Sequence, residues 1–203
     1  YMNKRDIFLI AILVVCFLFS IFIHEVGHGI SAYAKGYPVS TGFNKVGNAY
    51  AKPGDIDFRE GYEKYKVIFD LGPITTLALA LLFTILFYLI DSKYKVLTLI
   101  IGVFALCNSV LRLIPMIHSY IGLVFGKGLL LEDEIGIGLM LNEMYNSTVF
   151  TYVISMASLI ISFICLNIAI RLFKYKLPEL YVSRSHFITL FATAGVIAFF
   201  TAN

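Results

Sequence analysis

"FSIFIHEVGHGISAYAKGYP", residues 19–38, decides how this chain is read. The stretch continues an apolar run that begins near Ile7, yet it carries His24, Glu25 and His28 within five residues. Ionisable side chains inside a membrane-spanning helix are costly, and by default they mark a functional site. On a helix, His24 and His28 lie one turn apart, point the same way and can both bind one metal ion. Glu25 adjoins the first of them, where a general base for a metal-activated water belongs. Zinc lowers the pKa of bound water from 15.7 to about 7, so hydroxide forms at neutral pH. The pattern His24-Glu25-Val26-Gly27-His28 therefore joins a nucleophile, a polarising cation and a proton acceptor on one helix. Shuffling this composition gives roughly 0.002 expected matches, so chance is a poor explanation. Histidines serving only as polar glue between helices would leave Glu25 without a reason to be there.

The rest of the chain suits a lipid setting. Of 203 residues, 59% are hydrophobic and only 14% are charged, and the mean hydropathy is +0.85. Soluble domains carry about 25% charged residues. The net charge of +3 is too small to suggest nucleic acid as a partner. Cys16, Cys107 and Cys165 each lie within an apolar run and read as small buried hydrophobes, without zinc or disulfide spacing.

A span needs about 20 apolar residues. Stretches 7–23, 71–90, 96–114 and 149–170 meet this, and 186–200 offers a shorter fifth. The first is expected to stay helical to Lys35, where Gly36 and Pro38 stop it, and to be a permanent span without a cleavable leader. Residues 37–58 alternate turn formers with β-branched and aromatic residues, as a small β-hairpin does. Residues 59–70 suit an interfacial helix. The expected fold is an all-α polytopic membrane protein of about five transmembrane helices, forming a single domain over 1–203. A three-helix catalytic core covers about 7–145, and accessory helices cover about 148–203. With five spans, eight of the 16 lysines and arginines fall on each side, so charge leaves the orientation open.

A catalytic zinc takes three protein ligands and keeps one position open. His118, His186, Asp70, Asp91, Glu132, Asp133, Glu134, Glu143 and Glu179 are the candidates for the third. A His-Glu-x-x-His inside a span, followed by a helix opening with Gly72-Pro73, resembles the site-2 protease family of intramembrane zinc metalloproteases. Pro73 also suits a first helical turn in its own right. The resemblance covers roughly residues 15–145. It implies one Zn2+ per chain, a third ligand from an Asp-Gly that follows an Asn-Pro on a third helix, and cleavage of membrane-anchored proteins within or near their spanning segments. Here six residues separate Asn108 from Pro115, and no Asp-Gly follows directly. Asp133 in "LEDEIG", with Gly136 close behind, is the expected substitute, with Glu134, Glu132 and His118 as alternatives. A solvated acidic helix start is the plainer reading of that cluster.

Asn108 is the expected substrate-binding residue, holding either substrate backbone or the developing oxyanion; bridging two helices is its alternative. Arg112 either snorkels at a span's end or pairs with the acidic cluster. The 37–58 loop offers a strand edge on which an unwound substrate could pair. The family implies an active site towards the cytosolic side of the cell membrane. Two rivals remain: a membrane zincin of the CAAX-protease or heat-shock-protease type with a Glu ligand, and a non-catalytic metal-binding membrane protein. Four histidines are too few for a histidine-rich diiron site.

Overall fold

The computed structural model describes residues 4–34, 39–41, 46–48, 71–180 and 184–202. The expected interfacial helix at 59–70, Asp70, and most of the 37–58 loop lie outside the described residues, as does the side chain of His186. The helices are α1 (Lys4–Ala34), α2 (Leu71–Leu89), α3 (Lys95–Val124), α4 (Asp133–Tyr145), α5 (Phe150–Lys176) and α6 (Arg184–Ala202). Strands β1 (Val39–Thr41) and β2 (Val46–Asn48) pair antiparallel, Ser40 opposite Gly47. Four helices, α1, α2, α3 and α5, are long and apolar enough to cross a membrane. The fifth expected stretch is helical within α6, where the apolar part among the described residues is Ile188–Ile197.

Because lipid offers no hydrogen bonds, each spanning segment must satisfy its backbone internally, and helices do so. The outer faces are apolar: Ile7, Phe8, Val15 and Phe19 on α1, and Leu82, Ile85 and Leu89 on α2, are all exposed. The core forms between the helices, where Leu9, Leu13, Phe17, Phe87, Val103, Leu106 and Phe173 are buried together. Helix α3 packs against α1, α2 and α5, so it stands at the centre of the bundle. Phe17 of α1 meets Phe191 of α6 with ring centroids 4.9 Å apart.

Small residues set the closest helix approaches, as they do in membrane bundles. A Cβ on Gly27 would lie 2.8 Å from the Leu71 carbonyl oxygen and 3.1 Å from the Gly72 Cα, so α1 and α2 cross there almost backbone to backbone. A Cβ on Gly138 would come within 2.3 Å of the Thr151 Cα, which pins α4 to the start of α5. Asn142 joins the same two helices: its Nδ2 donates to Thr151 Oγ1 at 2.7 Å, and its Oδ1 accepts the Phe150 amide at 2.9 Å.

Helix α3 runs ten residues past the expected end of its apolar stretch at 114, through Pro115 to Val124. The chain then doubles back. Gly126 and Gly128 have φ of +71° and +75°, a region that glycine occupies without a Cβ clash. The returning strand of chain is tied to α3 by the Leu130 amide on the Ser119 carbonyl, and by the Ser119 hydroxyl donating to the Leu130 carbonyl at 2.7 Å. Further back along α3, Glu132 meets His118 and Asp133 meets Arg112. This reversal carries the acidic cluster from the loop to the flank of the spanning helices.

Candidate metal centre

The unbroken α1 places His24 and His28 on one buried face, 8% and 5% exposed. Their Nε2 atoms are 3.1 Å apart. Asp133, the first residue of α4, directs Oδ2 to within 3.1 Å of His24 Nε2 and 3.6 Å of His28 Nε2. One ligand atom from each of the three residues thus closes a small triangle, a group that could hold a metal ion. Ligands on tetrahedral zinc, at 2.0–2.1 Å from the ion, stand about 3.3 Å from each other. The observed spacings of 3.1, 3.1 and 3.6 Å bracket that figure, so the three residues fit the ion.

The expected Asp133 is therefore the carboxylate that the fold brings to the histidines, and it arrives on a separate short helix, not on the third span. Burial pushes its carboxyl up, but the contacts with His24 and His28 and the Arg112 guanidinium outweigh that and hold it well below the usual range. It is a carboxylate at neutral pH, as a ligand must be. The alternatives have other partners. Glu134, 3% exposed, accepts from Ser158 Oγ at 2.8 Å and pairs with Arg112 at 3.4 Å. His118 is exposed and bound to Glu132 at 2.8 Å. Burial raises the Glu132 carboxyl, and its hydrogen bond to His118 opposes the rise.

Arg112 proves to be a partner for the acidic cluster. It is buried, its Nη1 donates to Asp133 Oδ2 at 3.2 Å, and it also reaches Glu134. The acidic pair next to each other in sequence is thus split, with Asp133 turned to the histidines and Glu134 to Ser158. Arg112 Nε has no hydrogen-bond partner among the described residues.

Two contacts from the first turns of α2 complete the surroundings, and sequence reasoning missed their purpose. A Cβ on Gly72 would fall 2.2 Å from His28 Nε2 and 2.4 Å from its Cε1, so only glycine leaves room for that ring. Thr76, one turn on, places Oγ1 2.9 Å from His24 Nδ1 and 3.0 Å from the Gly72 carbonyl. The pairing Gly72-Pro73 was the available signal, because a glycine before a helix-starting proline is a place of close approach. Thr76 had none beyond its i+4 relation to Gly72.

Glu25 is half-buried beside His24. Asn108 is buried, and its Nδ2 donates to Ser20 Oγ at 3.2 Å and to the Phe104 carbonyl at 2.9 Å. It therefore joins α3 to α1 one turn before His24, and its Oδ1 has no partner among the described residues. No protein-family model, no curated protein and no solved structure matches this chain.

Proposed function

We propose that the chain is a membrane-embedded zinc endopeptidase that hydrolyses peptide bonds of membrane-anchored proteins within or near their spanning segments. The observation that carries this reading is the triangle of His24, His28 and Asp133 beside Glu25, on a helix apolar enough to cross a membrane. Its order of motifs, His-Glu-x-x-His and then Gly72-Pro73, is that of the site-2 protease family. His24, His28 and Asp133 would hold the ion and leave one side for water and substrate. Zinc bound there supplies an acidified water and a polarised scissile carbonyl.

The chain's own residues do the rest. The Glu25 carboxylate takes the proton from the attacking water and returns it to the leaving amide nitrogen, a general acid–base role worth about 10²–10⁴ in rate. Asp133 stays ionised through Arg112 and so keeps a negative ligand against the cation. A substrate helix must unwind first, because its carbonyls are paired and shielded. The β1–β2 pair beside α1 offers an edge for the unwound segment. Asn108 would hold substrate backbone through its Oδ1, which has no partner among the described residues and can accept a peptide N–H, while its Nδ2 stays on Ser20 and Phe104. The cytosolic face of the cell membrane is the expected side for the site.

The test is cleavage of spanning peptides in detergent or vesicles by the parent and by Glu25→Gln. Activity in the parent, lost in the variant while both retain zinc, supports the enzyme. Zinc in both without cleavage by either identifies a metal-binding protein instead.

A further inference from the structure

We infer that Thr76 is a positioning residue that fixes the tautomer of His24, so that Nε2 presents its lone pair to the metal. This rests on the metal reading above and extends it to how the ligand is aimed. The inference follows from the polarity of a three-group chain. Thr76 Oγ1 donates its single hydrogen to the Gly72 carbonyl at 3.0 Å. With that hydrogen committed, the oxygen can only accept from the ring nitrogen 2.9 Å away, so His24 Nδ1 carries the proton. A neutral imidazole protonated at Nδ1 has its lone pair on Nε2, the atom 3.1 Å from Asp133 Oδ2 and from His28 Nε2. This is the tautomer of the site with a cation between those atoms; without the cation, Nε2–H would donate to the Asp133 carboxylate instead.

Burial makes the assignment binding. Thr76 is 1% exposed and His24 8%, so water does not offer either group another partner. The opposite tautomer would set two lone pairs, His24 Nδ1 and Thr76 Oγ1, against each other at hydrogen-bond distance. It would also aim an N–H into the place the cation occupies. Both costs fall on the same ring, and an unsatisfied buried polar group costs about 1–3 kcal/mol. The same turn of α2 lays Gly72 against the His28 ring, so one helix start seats both histidines by different means. Bonds of this kind from an outer group to a ligating histidine are typically worth about 10–100-fold in metal affinity.

Thr76→Val keeps the branched shape and removes the hydroxyl, whereas Thr76→Ser keeps the hydroxyl. Two readouts are needed. One is zinc affinity by chelator competition. The other is the pattern of the His24 Nδ1–H signal, downfield and slow to exchange when hydrogen-bonded, in the zinc-loaded, 15N-histidine-labelled protein, assigned by its loss in His24→Gln. The parent and Thr76→Ser should show the Nδ1–H pattern and zinc affinities within a few-fold of each other. Thr76→Val should lose that pattern and bind zinc about 10–100-fold more weakly. If Thr76→Val keeps both the pattern and the affinity, and changes only thermal stability, the inference is overturned. If the parent binds no zinc at all, the metal reading falls and this inference with it, an outcome distinct from a zinc-loaded parent whose affinity does not respond to Thr76→Val.

Discussion

At the scale of residues, the site is an arrangement of charge that could hold a cation. Asp133 and Glu134 are consecutive carboxylates, and Arg112 lies against both of them. Removing one partner of a buried ion pair costs about 3–5 kcal/mol, because the other charge is left alone. Arg112→Met should therefore weaken zinc retention and lower the melting temperature together, as measured by metal content and thermal unfolding. Asp133→Asn preserves shape and removes the ligand charge; it should leave less than about a tenth of the parent's zinc after dialysis, given the ligand count a catalytic site needs. Gly72→Ala adds one carbon where the His28 ring already sits. In the proposed site that ring is a ligand that cannot turn away without loss, so zinc affinity should fall about tenfold or more.

Among the elements, helix α1 and the loop before α4 contribute in unlike ways, and they were unequally legible. Helix α1 could be read from "FSIFIHEVGHGISAYA" because its apolar run and the spacing of its histidines both follow local geometry. The Gly27 inside the motif was not legible as a crossing point, since that depends on Leu71 and Gly72 arriving from another segment. Asp133 was picked out of "LEDEIG" by ligand chemistry and resemblance. The path that brings it to His24 depends on the reversal at Gly126 and Gly128 and on the pairing of Ser119 with Leu130. The end of α3 was also hidden, because Pro115 suggests a stop and the helix runs through it to Val124. The α4–α5 joint gives a prediction at this scale. In Gly138→Val the added side chain meets the Thr151 backbone, so α4 must move and carry Asp133 with it. Both thermal stability and zinc affinity should drop, although residue 138 is no ligand; unchanged zinc affinity would show that α4 does not depend on this joint.

Seen as a whole molecule, the bundle gives polar groups a buried interior and presents apolar residues outward. Ile7, Val15, Leu89, Val153 and Phe163 are all exposed, on three different helices. Such a surface belongs in lipid. The protein is expected to resist alkaline extraction from membranes and to come out only with detergent; release by alkali would contradict the spans. The proposed catalysis adds a requirement that packing alone does not, because water and a polypeptide would have to reach a centre whose histidines are nearly covered. A membrane-impermeant chelator applied from one side of sealed vesicles should strip the metal from that side only, which gives the orientation that an even distribution of lysines and arginines leaves open.

The most direct measurement is the metal content of the detergent-purified chain, compared with His28→Ala and Asp133→Asn. The triangle of Nε2, Nε2 and Oδ2 predicts about one zinc per chain in the parent and a loss in both variants. A parent that holds no divalent metal after incubation with zinc, or variants that hold as much as the parent, would contradict it.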